Sequence, residues 1–303
     1  MRDFVEHHFR HFNAGELRRC AESLRDFIAE DGRLMITLGG AMSTAEIGRS
    51  LAPAIREGKI HAICCTGANL EEDLFHLIAA SHYGEVPHWR DLSPEEESQL
   101  KNRITNRTIP EEKAIRKVES QLISLWKYSP GRLPHEFLYD LVKQVEADSD
   151  PENSWLLAAA EANLPLFVPG WEDSTLGNIF AARVIDGTVD INAVQSGTHY
   201  MLALATWIRE HPSNGFLQVG GGIAGDFPIC VVPMLRQDLG EDVPLWAWFA
   251  QISESRPSYG GYSGAPPNEK ISWGKLGVET PKFVIESDAS IVLPILLASL
   301  LDE

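Results

Sequence analysis

The sequence predicts an α/β fold: a doubly wound, mostly parallel sheet with helices on both faces. Short apolar runs recur along the chain, and each ends in a glycine or small-residue turn followed by a helix-like segment. Strands that alternate with helices in this way form parallel sheets. The runs are continuously apolar rather than alternating, which is typical of strands buried on both faces.

The first two units lie in the N-terminal third of the chain. In "RLMITLGGAMSTAEIGRSLAPAIREG" we expect a strand at 34–38, a turn at Gly39-Gly40 and a helix that begins after Ser43 or Thr44. In "KIHAICCTGANLEEDLFHLIAAS" we expect a strand at 60–65, a Thr66-Gly67 turn and a helix from about residue 70. Small residues suit both turns because they let the backbone bend tightly.

Three further units complete the predicted sheet. The apolar runs place their strands at 165–168, 216–219 and 282–285. The second of these strands leads into the turn Gly220–Gly222, and Ser287 or Asp288 is the expected N-cap of the last helix. We find no linker or fixed-period repeat, so we predict one domain over residues 1–303.

Two polar segments are predicted to leave the sheet. A proline-punctuated excursion covers about residues 83–114, and its "LSPEEESQL" carries a Ser-Pro-Glu-Glu helix start. The stretch 254–270 is rich in glycine, proline and serine, and long ordered loops of this kind are often functional.

Composition excludes some classes of function. The formal charge is −17, which argues against a nucleic-acid partner because phosphate binding needs a basic face. The four cysteines lack the spacing of a zinc site and are expected to be reduced. The group His7, His8 and His11 has no further metal ligands nearby in the sequence, so we predict no metal site. The N-terminus has no apolar signal region, and the longest apolar run is too short to span a bilayer. A soluble cytoplasmic protein without a membrane partner is the expectation.

The carboxyl ends of parallel strands are where ligands bind in such sheets. "GGGIAGD" after the fourth strand is either a phosphate cradle or a tight turn. In "NLEEDL", Glu71, Glu72 and Asp73 are interpreted as partners of a helix dipole, with a polycationic ligand as the alternative. In "GWEDSTLGN", Asp173 or Ser174 is either the N-cap of the following helix or a ligand contact.

One lysine stands out among these carboxylates. Lys275 follows Trp273 and Gly274 in "NEKISWGKL". A solvated surface lysine is the simpler interpretation. The alternative is a lysine held neutral and nucleophilic in an apolar pocket, walled by the tryptophan and reached through the glycine.

Four segments, in order, resemble deoxyhypusine synthases over roughly residues 30–300. "EKISWGKL" is similar to their active-site lysine motif, and "CTGANLEEDL" to their Thr-Ala-Gly-Gly-Val-Glu-Glu-Asp-Leu segment. "WEDSTLGN" is similar to their Thr-Asp-Gly-Ser-Leu-Gly-Asp segment, and "VIESDASIVLPILLA" to their Tyr-Ala-Asp-Ala-Ser segment.

This resemblance implies a homotetrameric, NAD-dependent transferase with a Rossmann-like fold. In the family, spermidine is oxidised to an imine, and its aminobutyl group passes to a lysine as a Schiff base and then to an acceptor amine. The acceptor is a lysine of a translation initiation factor in deoxyhypusine synthases and putrescine in the related homospermidine synthases.

The resemblance also implies roles for individual positions. Lys275 corresponds to the imine-forming lysine, and Ser263 to the serine of the preceding loop. The implied substrate-binding residues are Glu71, Glu72, Asn178, Phe227, Tyr262, Glu269 and Trp273. The implied NAD-binding residues are Met42, Ser43, Thr66, Gly67, Ala68, Asp173, Gly222, Asp288 and Ala289.

Several positions depart from the family pattern. Phe227 replaces a histidine, Asn178 an aspartate, and Tyr259 and Tyr262 two aspartates. These changes remove a candidate base and three charges, so we expect an altered ligand charge pattern, with aromatic walls available for cation–π contact. The leading hypothesis is an aminoalkyl transferase that acts on a polyamine, with a small amine as acceptor. The alternatives are a true deoxyhypusine synthase, an NAD-binding or polyamine-binding protein without transferase chemistry, and an amine dehydrogenase.

Overall fold

The central sheet of the protein consists of six parallel strands in the computed structural model, which describes residues 1–257 and 260–301. A second, three-stranded antiparallel sheet lies in the excursion. In chain order the strands are β1 (Arg33–Leu38), β2 (Ala62–Cys65), β3 (Gly84–Glu85), β4 (Arg103–Ile104), β5 (Arg107–Thr108), β6 (Leu166–Phe167), β7 (Asn214–Val219), β8 (Trp248–Ile252) and β9 (Lys282–Ile285).

Helices connect the strands of the central sheet. They are α1 (Arg2–His8), α2 (Phe12–Ala29), α3 (Gly48–Arg56), α4 (Gly67–Ala79), α5 (Pro94–Glu97), α6 (Arg116–Tyr128), α7 (Pro134–Val142), α8 (Trp155–Glu161), α9 (Thr175–Ile185), α10 (Gly197–Arg209), α11 (Ile223–Ile229), α12 (Val231–Pro233), α13 (Glu269–Ser272) and α14 (Ala289–Leu301). No helix among the residues described is both long enough and apolar enough to cross a membrane.

The strand order is β6-β2-β1-β7-β8-β9, so the order reverses between β1 and β7. Ligands bind at this reversal in doubly wound sheets, outside the carboxyl ends of the strands. The turns that follow β1 and β7 meet there. A Cβ added to Gly39 would lie 2.8 Å from the carbonyl oxygen of Gly221, so only glycine lets these two backbones approach so closely.

The predicted fold class is confirmed, and each of the five predicted strands is present with similar bounds. Residues of β1, β2, β7 and β8 are buried almost throughout, as their continuous apolar runs indicate. The sixth strand, β8, was missed. It leads into the loop before α13 and not directly into a helix, so it breaks the repeated pattern that identified the others.

Two predicted helix starts are wrong. The helix after β1 begins at Gly48, because the Ser43 hydroxyl donates to the Asn69 carbonyl oxygen at 2.7 Å instead of capping a helix. The helix after β2 begins at Gly67, directly after Thr66, whose hydroxyl accepts the Asn69 N–H at 3.2 Å. Thr66 is therefore an N-cap, and the predicted Thr66-Gly67 turn is the start of α4.

The excursion has more structure than its polar sequence indicates. Strands β3, β5 and β4 pair in that order as a small antiparallel sheet. The predicted Ser-Pro-Glu-Glu helix start is confirmed: Ser93 caps α5, and the Glu96 carboxylate accepts the Ser93 N–H at 2.8 Å. The division into one domain stays a prediction.

Candidate active site

Lys275 lies in a cavity of about 300 Å³ at the carboxyl ends of β7 and β8. Its side chain is buried, with 7% of the residue exposed, so the interpretation as a solvated lysine is wrong. The preceding Gly274 has φ +69°, a conformation that favours glycine. This turn lets the Lys275 N–H donate to the Lys270 carbonyl oxygen at 3.0 Å, which directs the side chain inward after α13.

Asp226 is the charged partner of this lysine. The Lys275 Nζ lies 3.3 Å from the Asp226 Oδ1, 5.3 Å from the centre of the Tyr262 ring and 6.0 Å from that of Trp273. The site is therefore not the purely apolar pocket of the sequence-based hypothesis. Asp226 is not among the predicted site residues, although it is the last residue of the "GGGIAGD" segment and lies on α11.

Cys230, one turn further along the chain, also faces this ion pair. Its Sγ donates to the Asp226 Oδ1 at 3.5 Å. Burial raises the pKa of the Cys230 thiol, which outweighs the opposing effect of Lys275. The thiol is therefore a neutral neighbour of the carboxylate rather than a competing nucleophile.

A second buried lysine, Lys270, lines the same cavity and was not predicted. It is 3% exposed and donates to the Ala265 carbonyl oxygen at 3.4 Å. Its Nζ lies 5.0 Å from the centre of the Tyr262 ring and 5.1 Å from that of Phe249. Burial, and then the charge of Lys275, lower the pKa of Lys270 to about 8. Its place five residues before Lys275 in the same motif was the available signal.

Tyr262 is fixed beneath these lysines by the sheet. Its hydroxyl donates to the Gln218 Oε1 at 2.9 Å, and Gln218 is a buried residue of β7. The adjacent Ser263 hydroxyl accepts the Gly222 N–H at 3.1 Å. The loop before α13 is thus held against the turn after β7. Tyr259, another predicted departure, lies outside the described residues.

The remaining predicted residues near Lys275 form the rim. Trp273 lines the cavity but is 63% exposed, and Glu269 is an exposed residue at the start of α13. Phe227 is half-buried and lines a neighbouring cavity of about 580 Å³, which Asp226 and Tyr262 also face. The structure therefore brings Tyr262, Glu269 and Trp273 together around Lys275, and it places Phe227 at the neighbouring cavity.

The acidic segment of α4 lies elsewhere, and its interpretation as helix-dipole partners of α4 is wrong, because no acidic residue is in that first turn. The Glu71 oxygens accept the N–H groups of Thr175 at 2.9 Å and Leu176 at 2.7 Å, so Glu71 caps α9. The Asp73 Oδ2 accepts the Ser154 hydroxyl at 2.5 Å. Glu71 and Asp73 thus stabilise the starts of other helices.

Glu72 and Asn178 are likewise separate from the cavity that Lys275 lines. The Glu72 Oε2 accepts the Thr44 hydroxyl at 2.6 Å, and burial raises the pKa of Glu72 to about 7. The Asn178 Nδ2 donates to the Ser174 carbonyl oxygen at 2.7 Å, within the start of α9. Ser174 itself is the cap of α9, as one reading of this segment predicts.

The predicted cofactor-binding residues lie along one edge of the sheet. They follow β1 (Met42, Ser43), β2 (Thr66, Gly67, Ala68), β6 (Asp173), β7 (Gly222) and β9 (Asp288, Ala289). Asn69 ties the first two groups together, because its amide donates to the Gly40 carbonyl oxygen at 2.9 Å and its Oδ1 accepts the Ser43 N–H at 3.0 Å.

This edge also has room for a ligand. Gly40 and Gly222 have φ of +62° and +67°, and a Cβ at either position would meet no atom within 4 Å. A glycine backbone open to solvent at a strand-order reversal suits the close approach of a dinucleotide's phosphates. The residues present therefore fit NAD. Within residues 1–257 and 260–301, no three His, Cys, Asp or Glu side chains are grouped to hold a metal ion.

Comparisons with known proteins point to one family. A family model for deoxyhypusine synthase matches residues 6–300. A deoxyhypusine synthase-like protein of Nostoc sp. is 30% identical, covering 99% of this chain and 81% of the relative. One from Cyanothece sp. is 28% identical, covering 99% and 79%. A crystal structure from Entamoeba histolytica, described as a deoxyhypusine synthase, shares the fold, with a TM-score of 0.60 at 11% identity over 98% of this chain and 91% of that one.

Proposed function

Because the chain belongs to the deoxyhypusine synthase family, we propose that it is an NAD-dependent aminoalkyl transferase that acts on a polyamine such as spermidine. The acceptor in this proposal is a small amine, as in a homospermidine synthase. The observation that carries it is Lys275, a buried amine 3.3 Å from a carboxylate in a cavity walled by aromatic rings.

The group transfer uses the lysine nitrogen as nucleophile. The donor amine, once oxidised to an imine, offers its carbon to the neutral Nζ of Lys275. A bond forms from that carbon to Nζ, the bond to the departing amine breaks, and that amine takes up a proton. The acceptor amine then displaces Nζ from the same carbon, and reduction of the new imine gives the product.

Asp226 supplies the proton site that this exchange needs. A lysine attacks only when neutral, and the Asp226 Oδ1 is the carboxylate oxygen placed to take the Nζ proton and to return it. Phe227 stands where the family has a histidine, so we assign the base role to the neighbouring Asp226. The exposed side of this carboxylate gives an incoming amine access to it.

Aromatic side chains position the alkyl chain and its cationic nitrogen. Tyr262 and Trp273 face Lys275 and offer π faces to an ammonium group, while Glu269 at the rim can pair with one. The cavity is not lined by Glu71, Glu72 or Asn178. We still propose that these three residues contact the substrate when subunits assemble into an oligomer. We also propose that the protein is a homotetramer and cytoplasmic.

NAD, when bound, accepts the hydride of the first oxidation and returns it at the last step. The residues that would hold it are Met42, Ser43, Thr66, Gly67, Ala68, Asp173, Gly222, Asp288 and Ala289. The open glycine backbone at Gly40 and Gly222 supports this placement at the edge of the sheet.

Borohydride trapping tests the proposal. The protein is incubated with NAD and spermidine, and separately with putrescine and with agmatine, then reduced and digested for peptide mass spectrometry. We expect an adduct on Lys275 that is absent in Lys275→Ala and retained in Lys127→Met, a change at an exposed lysine. An absence of adduct and of new polyamine with every amine tried, despite bound NAD, contradicts the proposal.

A further inference from the structure

Lys270 is the charged group in this cavity that the proposed transfer does not use. Its side chain is more deeply buried than that of Lys275, at 3% against 7% exposed. Lys275 has the Asp226 carboxylate at 3.3 Å, whereas Lys270 has no carboxylate oxygen within 4 Å among residues 1–257 and 260–301. Its one hydrogen bond in that part of the chain goes to a carbonyl oxygen at 3.4 Å.

A buried ammonium without a carboxylate in direct contact is unfavourable, because burial removes water from the charge. The more distant charges of Glu269 and Asp226 favour the protonated Lys270, but burial and the charge of Lys275 outweigh them and lower its pKa. The aromatic faces of Tyr262 and Phe249 compensate only in part. An ammonium has three N–H donors, and one is satisfied here. Since Lys270 lines the cavity, a bound ligand can supply the missing counter-charge.

The charges change when Lys275 carries the transferred group. In the neutral imine, Nζ no longer pairs with Asp226, so the cavity presents two carboxylates, Asp226 and Glu269, the ammonium of Lys270 and the terminal ammonium of the transferred aminobutyl group. Glu269 can pair with the aminobutyl ammonium and Asp226 with the acceptor amine, which leaves Lys270 as the cation without a carboxylate oxygen within 4 Å in the part of the chain described. Burial and the charge of Lys275 lower the pKa of Lys270 to about 8, so Lys270 is still mostly protonated at pH 7. An acceptor with an amine at one end and a carboxylate at the other complements this arrangement, whereas a diamine places its second ammonium near Lys270.

We propose that Lys270 binds a carboxylate of the acceptor, so that the acceptor amine of this enzyme is an amino carboxylate rather than a diamine. The inference rests on the proposed transferase function. It assigns Lys270 as a specificity residue: the acceptor amine meets the Lys275 imine carbon beside Asp226, and the acceptor carboxylate pairs with the Lys270 Nζ.

Acceptors of matched length test this directly. Purified full-length protein is given NAD, spermidine and an equimolar mixture of 4-aminobutanoate, putrescine and butylamine, and the products are quantified by mass spectrometry. We expect transfer to 4-aminobutanoate to exceed transfer to putrescine by about tenfold or more, as a charge-assisted contact of this kind allows. Lys270→Met should remove that preference, Lys270→Glu should reverse it, and Lys127→Met should leave it unchanged.

Two further readouts separate this inference from the proposed function. The Lys275 adduct formed with spermidine should persist in Lys270→Met, because the donor step does not need Lys270. Calorimetric titration of the unreacted protein with 4-aminobutanoate, using butylamine as the reference, measures carboxylate binding without any transfer. Binding should weaken about tenfold or more in Lys270→Met.

Each outcome has a defined meaning. If no Lys275 adduct forms but 4-aminobutanoate binding depends on Lys270, the proposed transfer fails and the carboxylate site stands. If the adduct forms but wild type prefers putrescine, or if Lys270→Met keeps the wild-type acceptor ratio, the inference about Lys270 is overturned while the transferase stands. Equal binding of 4-aminobutanoate and butylamine to the wild type also overturns it.

Discussion

The Lys275 Nζ lies 3.3 Å from the Asp226 Oδ1, and the two residues come from segments on opposite sides of β8 in the chain. Lys275 lies between α13 and β9, and Asp226 lies on α11 after β7. The sheet therefore assembles a nucleophile and a proton acceptor that are far apart in sequence.

Asp226→Asn removes the proton acceptor but keeps the shape of the side chain. We expect kcat for polyamine transfer to fall by about 10²- to 10⁴-fold, the range typical of a lost general base, with a smaller change in KM. Steady-state kinetics measures this. Asp238→Asn, at an exposed position, is the matched control. A kcat for Asp226→Asn equal to that of the control would exclude the base role.

Glu71→Ala removes the acceptors that cap α9. Two N–H groups, those of Thr175 and Leu176, lose their partner, and the cost should be about 2–4 kcal/mol in the free energy of unfolding. Urea denaturation measures the change. Glu71→Gln keeps one acceptor oxygen and should cost less, and Glu172→Ala, at an exposed glutamate before α9, should change stability by less than about 0.5 kcal/mol. A loss of activity at unchanged stability would instead indicate a ligand contact for Glu71.

Glu72 should make stability depend on pH. Burial raises the pKa of Glu72 from 4.5 to about 7, so between these values the folded chain holds a proton that the unfolded chain has lost. The free energy of unfolding therefore falls as pH rises from 4.5 to 7, by about 3 kcal/mol, and then levels off.

Glu72→Gln should remove this dependence, because an amide does not titrate. Asp73, whose pKa burial raises to about 6, acts in the same direction at lower pH, so the contrast is clearest between pH 6 and 7. Chemical denaturation across that interval measures it. Parallel pH profiles for wild type and Glu72→Gln would show that Glu72 is ionised in the folded state.

Gly40→Ala tests the cofactor edge. Alanine at φ +62° costs about 1 kcal/mol of stability, and its methyl group projects into the space assigned to NAD. Gly58→Ala is the matched control. Gly58 has φ +66°, and a Cβ added there would meet no atom within 4 Å. It follows the end of α3, whereas Gly40 follows the end of β1. Both variants should lose similar stability, but only Gly40→Ala should weaken NAD binding, by about tenfold, in a fluorescence titration. If the two variants bound NAD with equal affinity, NAD would not bind next to Gly40.

The sequence predicted the strands well because runs such as "LMITL" are apolar throughout, and this pattern depends on burial alone. It missed β8 because no helix follows that strand directly. It misplaced the start of α3 because Ser43 bonds to Asn69, 26 residues later, a contact that no local pattern encodes. It misplaced the start of α4 because Thr66, a local N-cap signal, was assigned to a turn.

The site was predictable only in part. Motif resemblance identified Lys275, and the fold brings Trp273, Glu269 and Tyr262 to it. Lys270 and Asp226 emerged only with the structure, because their environment depends on how α13 and α11 pack over the sheet. The carboxylates of α4 illustrate the converse. Glu71 and Asp73 were predicted to be dipole partners of their own helix, yet Glu71 caps a helix about 100 residues further along the chain and Asp73 one about 80 residues further.

The pairing of β1 with β7 has a consequence for the newly made chain. Arg33 lies opposite Asn214, 181 residues later, so the centre of the sheet cannot close until most of the chain has been synthesised. At about 5–20 residues per second, roughly 10–40 s pass on the ribosome between the synthesis of β1 and that of β7. During that time β1 has β2 on one side only, and its open edge can pair with other chains. The strand reversal that creates the binding cleft thus also leaves an unpaired apolar strand edge until β7 has been made, and long-range parallel pairing of this kind favours slow folding.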